Sequence, residues 1–261
     1  FMALRGESPK SSPPSLASFG PTLNAVVIGA QGGIGAALVD VLAGSPAVAH
    51  VHAFARAAEE RRIEGATYSS VDIESEEAIA AAAAQVRRSV GEVSLVILAT
   101  GILHDGSGMQ PEKSWKTIDG AAMERAFRIN CTGPALAGKH FLPMLRRDSK
   151  TAFAALSARV GSIGENRLGG WYAYRASKAA LNMTIKSLSI ELARTRPNAL
   201  CVSLHPGTVD TALSKPFQSR VPDTQLAAPE AAASNLLEVL NGLSPADSGG
   251  LFAWDGTRIE F

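Results

Sequence analysis

Short apolar runs alternate with helix-prone segments along most of the chain, and this alternation constrains the fold more than any other feature of the sequence. The apolar runs are rich in β-branched residues and have the length of buried strands. They cover residues 25–30, 48–56, 66–72, 93–100, 151–157, 199–205 and 249–256. Helix-prone segments lie between them, at 34–44, 76–90, 120–147, 171–195 and 228–243. The alternation predicts an α/β fold with a parallel sheet, helices on both faces and right-handed crossovers.

No linker or internal repeat divides the chain after its first residues. We therefore expect a single Rossmann-fold domain over residues 23–261, with a doubly wound parallel sheet of about seven strands. Residues 1–22 differ, because they are rich in Ser and Pro and lack the apolar stretch of a secretory signal. We expect a disordered tail or an expression remnant there.

Composition narrows the classes of partner. The net charge of the 261 residues is +1 and no long basic tract is present, which argues against a nucleic-acid partner. No apolar run approaches the ~20 residues that span a bilayer, so we expect no membrane partner. The two cysteines, Cys131 and Cys201, lie in apolar segments, and the five histidines lack metal-ligand spacing. We expect buried free thiols, no metal, and a reducing, cytoplasmic location.

Ligands of open parallel sheets bind beyond the carboxyl ends of the strands. After the first predicted strand comes "GAQGGIG", where glycines allow a sharp turn into a helix whose N-terminus suits a pyrophosphate. This pattern predicts a nucleotide site, although a plain glycine-rich turn is the alternative. The candidate cofactor-binding residues here are Gly29, Gln31, Gly33, Ile34 and Gly35.

The residues after the second and third strands address the choice of cofactor. Where an acidic residue often holds the ribose of NAD, this chain has Ala55 and Arg56. Arg56 favours NADP, because it suits a 2′-phosphate, with NAD still possible and a solvated arginine as the alternative. Asp72 and Ile73 follow the third strand; Asp72 either accepts from an adenine amino group or caps the next helix.

Polar or glycine-bearing segments also follow the fourth and sixth strands. Each offers backbone and hydroxyl groups to a ligand, although simple loops are the alternative. The candidate residues are Ala99, Thr100, Gly101, Pro206, Gly207, Val209 and Thr211.

Tyr174 and Lys178, in "GGWYAYRASKAALN", are four residues apart and share one face of a helix, whereas Tyr172 does not share it. Such a pair is either a proton-transfer device or the ordinary polar fringe of an amphipathic helix. The spacing alone leaves both readings open.

Taken together, the motifs resemble the short-chain dehydrogenase/reductase family. "GAQGGIG", "VDI", "ATG", "INCTG", "YAYRASK" and "HPGTVDT" stand in that family's order over about residues 23–261. "SARVGSIGENRLGGWYAYRASKAALN" is similar to the C-factor-like and sniffer-like carbonyl reductase branch.

The resemblance implies catalytic roles for three of these residues. Tyr174 would donate a proton to a substrate carbonyl, and Lys178 would lower the tyrosine pKa from ~10 and hold the nicotinamide ribose. Asn130 would anchor a water that feeds protons towards Lys178, or would merely be a polar residue that kinks its helix.

The expected serine is a departure from the family pattern. The family places a second serine where this chain has Ala158, directly after Ser157. Either Ser157 turns into the site, which we favour slightly, or Ser162 folds back from the loop. Loss of such a donor costs about 2.7–4 kcal/mol of barrier height.

Two long segments, 102–118 and 212–227, are expected to face the substrate. The candidate apolar side chains of a substrate pocket are Met109, Trp115 and Phe217 in these segments and Trp171 at the start of the long helix. Core packing or subunit contact explains each of them equally well. The expected substrate is a small apolar carbonyl or alcohol compound.

The resulting expectation is an NADP-preferring oxidoreductase that interconverts a carbonyl and an alcohol. The rival, motivated by the C-factor-like resemblance and Ala158, is a nucleotide-binding signalling or sensor protein with little or no turnover. The resemblance also implies a homodimer or homotetramer through the helices at 120–147 and 171–195.

Overall fold

The structure is a computed structural model that describes residues 14–57, 63–106, 108–220, 222 and 225–261. Its strands are β1 Leu23–Ile28, β2 Val48–Ala55, β3 Ala66–Ser70, β4 Leu95–Leu98, β5 Thr151–Leu156, β6 Ala199–His205, β7 Thr208–Val209, β8 Leu226–Ala227, β9 Leu251–Ala253 and β10 Arg258–Ile259. Its α-helices are α1 Gly33–Ala43, α2 Glu76–Val90, α3 Gly120–Phe127, α4 Gly133–Phe141, α5 Tyr172–Ala193 and α6 Pro229–Gly242.

Among the described residues, eight strands form one sheet in the order β10-β9-β6-β5-β4-β1-β2-β3. All neighbours pair in parallel except β10, which runs antiparallel to β9. The doubly wound parallel sheet is confirmed, with one more strand than predicted. The chain winds outward from β1 to β3 and then returns to place β4 on the other side of β1, so the topological switch point lies between β1 and β4.

Alternating side chains of the strands build a hydrophobic core on each face of the sheet. In β1, Ala25 and Val27 pack in the core that contains residues of α1 and α6, while Val26 and Ile28 pack in the core that contains residues of α2, α4 and α5. Because both of its faces are buried, the centre of the sheet has mostly apolar strands such as β4 and β5, and this explains the continuous apolar runs there, whereas the edge strand β3 is polar and only partly buried.

The predicted helix over 120–147 is wrong as a single α-helix. It is divided into α3, a π-helical turn at Arg128–Thr132 and α4, and it ends in a 3₁₀ turn at Leu142–Met144. Pro134 accounts for the break, because it has no N–H to donate to the carbonyl of Asn130, four residues before it.

The predicted boundary at residue 22 needs correction. Leu16 and Phe19 are buried in the main core, and Lys150 ties this segment down by donating from Nζ to Ser18 Oγ and the Leu240 carbonyl, at 2.9 and 2.8 Å. The packed domain therefore includes Leu16 and Phe19. The rest of the predicted tail, residues 1–13, lies outside the described residues.

Cys131 and Cys201 are free, but Cys131 is only half-buried. Burial raises the pKa of the Cys201 thiol. Within the described ranges, no helix is long and apolar enough to cross a membrane, and no group of three or more His, Cys, Asp or Glu residues suits a metal ion.

Candidate active site

A crevice crosses the carboxyl ends of the strands and contains two adjoining cavities. One has a volume of about 560 Å³ and lies towards β2 and β3, and the other, of about 410 Å³, lies towards β5 and β6. The two share the lining residues Gly32, Ala99, Thr100 and Gly101. We call them the outer cavity and the inner cavity. Their junction coincides with the topological switch point.

The glycine turn after β1 is shaped by close contacts of the backbone. Gly29 has φ +96°, and a Cβ there would lie 2.7 Å from the carbonyl oxygen of Ala99. A Cβ on Gly35 would overlap the carbonyl oxygen of Gly29. Helix α1 can therefore pack against the turn only with glycine at these positions.

The N-terminus of α1 opens onto the crevice. Its N-cap is Gly32, and no side chain of the described residues caps it, so the first N–H groups are available to an anion. Gly33 packs against Thr211, since a Cβ at Gly33 would lie 2.6 Å from Thr211 Cγ2. Thr100 Oγ1 is buried and finds no hydrogen-bond partner among the described residues. These features fit a dinucleotide pyrophosphate.

The outer cavity contains the residues predicted to select the cofactor. Gln31, Arg56, Asp72 and Ile73 line it, and Arg56 is exposed. Asp72 Oδ1 accepts from the N–H of its near neighbour Glu74 at 2.9 Å.

The capping alternative for Asp72 is wrong. Helix α2 is capped by Ser75, whose hydroxyl accepts from the N–H of Ala78 at 3.2 Å. Asp72 is thus left at the edge of the outer cavity.

The inner cavity brings together most of the other predicted residues. These are Ile34, Ser157, Tyr174, Lys178, Pro206, Gly207, Val209 and Thr211, besides the shared Ala99, Thr100 and Gly101. Gly101 is close to two further groups, because a Cβ there would lie 3.4 Å from both Asn130 Oδ1 and Lys178 Nζ.

Tyr174 and Lys178 lie on the buried face of α5, with Nζ 5.9 Å from the centre of the tyrosine ring. Burial raises the pKa of Tyr174 to about 12, and burial lowers the pKa of Lys178 to about 8. The expectation that the lysine lowers the tyrosine pKa is therefore wrong for this structure. The physical reason is burial, which removes water from the phenolate, while Lys178 Nζ donates to the Leu156 carbonyl at 2.7 Å.

Asn130 holds the loop that follows β4. It is fully buried in the π-helical turn, where its Oδ1 accepts from the N–H of Ile102 at 2.8 Å and its Nδ2 donates to the Ile102 carbonyl at 2.9 Å. Nδ2 also donates to Ser177 Oγ at 3.0 Å. Both amide hydrogens are thus engaged, and Pro134 has no N–H to donate to the backbone carbonyl of Asn130.

The two candidate serines differ in position. Ser157 lines the inner cavity, and its hydroxyl donates to Asn182 Oδ1 at 2.7 Å. Ser162 is not among the described residues that line the cavity, and its hydroxyl accepts from the N–H of Glu165 at 3.1 Å. The geometry therefore favours Ser157.

Sequence reasoning missed Asn182, which orients that serine. Asn182 is buried and follows Tyr174 and Lys178 at the spacing i, i+4, i+8, so its place on the same helical face was readable. Its Nδ2 donates to the Gly161 carbonyl at 3.4 Å.

Glu112 was also missed, and no local signal marks it. Its buried carboxylate accepts from the N–H of Ala173 at 3.3 Å to each oxygen, and its carbonyl accepts from the N–H of Trp171 at 2.6 Å. Glu112 thereby caps α5 from a loop some sixty residues away in sequence.

His205, which precedes Pro206 in "HPGT", is a third omission. It lines the inner cavity, and burial together with the charge of Arg159 lowers its pKa to about 4. The imidazole is therefore neutral at pH 7, and its buried Nδ1 finds no hydrogen-bond partner among the described residues.

Of the four apolar candidates, two line the inner cavity. Trp171 and Phe217 do so, with ring centroids 5.1 Å apart. Met109 borders a separate surface depression, and Trp115 is 68% exposed.

Comparison with known proteins agrees with this architecture. C-signal of Myxococcus xanthus is 41% identical over 145 residues, which are 55% of this chain and 81% of that protein. An uncharacterized oxidoreductase of Schizosaccharomyces pombe is 31% identical over 203 residues, covering 73% of this chain and 76% of that protein.

Solved structures share the fold. The NADPH-bound carbonyl reductase from chicken fatty liver superposes with a TM-score of 0.80 at 26% identity, covering 92% of this chain and 94% of that chain. The carbonyl reductase Sniffer of D. melanogaster has the same TM-score at 22% identity, over 92% of this chain and 100% of that one, which shows the fold alone. The family model described as short chain dehydrogenase matches residues 23–222. The resemblance in the sequence is thus confirmed, and the chain belongs to the short chain dehydrogenase family.

Proposed function

We propose that this protein is an NADP-preferring oxidoreductase that interconverts a small carbonyl compound and its alcohol. One observation carries the proposal: Tyr174, Lys178 and Ser157 line a single cavity that adjoins the glycine turn. A proton donor, a cation and a hydroxyl are thereby collected next to a site that fits a dinucleotide. This combination suits hydride transfer to a carbonyl.

The cofactor would lie along the crevice, with its pyrophosphate at the N-terminus of α1 and its adenosine end in the outer cavity. Arg56 would meet a 2′-phosphate, and Asp72 would accept from the adenine amino group. The bound nicotinamide supplies the hydride. Ala99, Thr100, Gly101, Pro206, Gly207, Val209 and Thr211 would surround its other half, near the end of Lys178.

Tyr174 would act as the general acid. With its pKa raised to about 12, the phenol is protonated at neutral pH and can donate to the carbonyl oxygen in the direction of reduction. Lys178, with its pKa lowered to about 8, is still mostly an ammonium at pH 7. It would hold the ribose hydroxyls and return a proton towards Tyr174.

Ser157 and Asn130 would support this transfer. The Ser157 hydroxyl would donate a hydrogen bond to the substrate oxygen. For this, either the hydroxyl turns away from Asn182 Oδ1, or the Asn182 amide rotates so that its NH₂ group donates to the serine oxygen. The backbone carbonyl of Asn130 would hold a water that restores the proton of Lys178.

A sensor protein with low turnover is the second candidate. Two observations favour it: Ala158 stands at the usual serine position, and the Ser157 hydroxyl is committed to Asn182. The similarity to C-signal fits this reading as well. The presence of both Tyr174 and Lys178 in the cavity keeps it in second place.

A turnover assay distinguishes the oxidoreductase from the sensor protein. The purified chain should oxidise NADPH, followed at 340 nm, with members of a panel of aldehydes and ketones. Tyr174→Phe should lower kcat by about 10²–10⁴-fold, the usual contribution of a general acid, and leave NADPH binding nearly intact. Full activity in Tyr174→Phe would remove the tyrosine from the mechanism, and cofactor binding without turnover on any carbonyl would favour the sensor.

A further inference from the structure

Four aromatic rings form a chain of contacts that starts at the proposed proton donor. The ring of Tyr174 lies 6.2 Å from that of Trp171, which lies 5.1 Å from that of Phe217, which lies 5.7 Å from that of His104. The interplanar angles are 57–69°, which are tilted or edge-on arrangements within the favourable distance range for aromatic pairs. The chain of rings therefore leads away from the reacting hydroxyl.

Trp171 and Phe217 differ from the aromatic residues of the core. The core phenylalanines are at most 3% exposed; they are Phe19, Phe54, Phe141, Phe153 and Phe252. Trp171 and Phe217 are only half-buried, and both line the inner cavity. Their free ring surface therefore faces the space in which a substrate would bind, and core packing does not account for it.

The inner cavity also has aliphatic lining. Leu103, Val160 and Leu213 line the same cavity. An apolar cavity of about 150 Å³ is enough to hold benzene. The inner cavity, at about 410 Å³, can accommodate a nicotinamide ring and a second ring of similar size.

Both rings are also held in place. Trp171 has φ +52°, the sole non-glycine residue with a positive φ among those described, and Glu112 fixes this conformation by accepting from the Trp171 N–H. Sparsely populated backbone conformations of this kind are typical of ligand clamps. Phe217 is supported by His104, whose Nε2 donates to the Leu213 carbonyl at 3.0 Å and so joins the two segments predicted to face the substrate.

We propose that Trp171 and Phe217 form a subsite for a flat aromatic group of the substrate, carried on the carbonyl carbon itself. This inference rests on the proposed function, because it takes Tyr174 as the group that meets the carbonyl oxygen. A substituent on that carbon then lies beside the neighbouring ring, Trp171. In such a reaction an aromatic aldehyde accepts a hydride at carbon from the nicotinamide cofactor and a proton at oxygen from Tyr174, which yields the benzylic alcohol.

Three aldehydes test the subsite: benzaldehyde, cyclohexanecarbaldehyde and hexanal. Benzaldehyde and cyclohexanecarbaldehyde have the same number of carbon atoms, so comparing them separates the effect of a flat ring from the effect of size. With NADPH, we expect kcat/KM to be highest for benzaldehyde. In Phe217→Ala and Trp171→Ala, the ratio of kcat/KM for benzaldehyde over cyclohexanecarbaldehyde should fall about tenfold, mostly through KM. Trp171→Phe, which keeps a ring, should recover part of the preference.

Trp115→Ala is the matched control, since Trp115 is exposed and is not among the described residues that line the inner cavity. It should leave the ratio unchanged. An unchanged ratio in the Phe217→Ala and Trp171→Ala variants, with turnover retained and melting temperatures near that of the original protein, would overturn the proposal.

A binding experiment that requires no turnover tests the subsite independently of the proposed function. Saturation-transfer NMR with benzyl alcohol, in the presence of NADP⁺, should show transfer to the ring protons that is lost in Phe217→Ala. Ring-specific transfer without oxidation of NADPH by any carbonyl would leave the subsite standing and defeat the proposed function. No transfer to the ring protons in the original protein would defeat the subsite, whether or not turnover is seen.

Discussion

The outer and inner halves of the crevice are built by different means. Around the glycine turn, the shape of the site is set by the backbone, because Gly29 and Gly35 allow α1 and β4 to approach and the helix N-terminus supplies the N–H groups. In the inner cavity, the shape is set by side chains held from far along the chain. Glu112 caps α5, and Asn182 orients Ser157. A site made of backbone tolerates few changes at a few positions, whereas a site made of side chains can be retuned one contact at a time.

The largest effect in the outer half is expected from Gly35→Ala. The added Cβ would overlap the Gly29 carbonyl, so the turn and the start of α1 must move apart. Loss of one or two hydrogen bonds to a charged pyrophosphate weakens NADPH binding by about a hundredfold. Fluorescence titration with NADPH measures this.

Gly242→Ala is the control for that substitution, because a Cβ at Gly242 meets nothing within 4 Å and its φ is ordinary. It should bind NADPH as the original protein does. Equal affinity in Gly35→Ala and Gly242→Ala would show that close packing of the turn is not needed for binding.

In the inner half, Asn182→Leu tests whether the serine must be oriented by its partner. Without the amide, which lies 2.7 Å away, Ser157 loses the partner that would hold its hydroxyl towards the substrate oxygen once the amide has rotated to donate to it. We expect kcat to fall by about tenfold to a hundredfold, somewhat less than full loss of an oxyanion donor, while the NADPH Kd stays unchanged. Steady-state kinetics with one aldehyde measure kcat, and a parallel titration measures the Kd of NADPH.

A purely structural role for Asn182 predicts a different pattern. It would lower the melting temperature and weaken NADPH binding together with kcat. Asn182→Gln, which keeps an amide, should recover part of kcat in the orienting role.

The glycine turn and the Ser157–Asn182 pair differ in how well the sequence alone could predict them. The fold, the glycine turn and the Tyr174/Lys178 face were predictable, because each depends on spacing within one or two neighbouring elements. The partnership of Ser157 with Asn182 and the cap from Glu112 were not, because they join residues 25 and 61 positions apart.

Desolvation and packing account for the remaining differences. The raised pKa of Tyr174 depends on burial in the assembled fold, which a four-residue spacing does not contain. The packing of Leu16 and Phe19 reverses a boundary that Ser- and Pro-rich composition suggested, because two apolar side chains are enough to dock a short segment.

A smaller effect is expected from Arg56→Gln at the edge of the outer cavity. Removing the guanidinium should raise the Kd of NADPH by about tenfold, the scale of one charge-assisted hydrogen bond at an exposed site, and leave that of NADH unchanged. Titration of both cofactors with both proteins checks this. Equal weakening for NADPH and NADH would mean that Arg56 does not meet a 2′-phosphate.

The smallest effect concerns pH. Tyr174 stays protonated well above neutrality, so the phenol itself should not limit reduction between pH 6 and 8. The lowered pKa of Lys178, about 8, means that its charge is lost as the pH rises past that value. We therefore expect kcat/KM for reduction to be level from pH 6 to 7 and to decline by a few-fold above pH 8. A profile that instead rises steadily with pH would contradict these assignments.

The first experiment on the proposed function is a fluorescence titration of the purified protein with NADPH and NADH. We expect saturable NADPH binding that is clearly tighter than NADH binding, because the glycine turn would hold the shared pyrophosphate and Arg56 would meet the additional phosphate. Equal affinities would remove Arg56 from the site while leaving the turn in place. Binding of neither cofactor would contradict the proposed function, because the crevice would then lack the ligand on which the proposed chemistry depends.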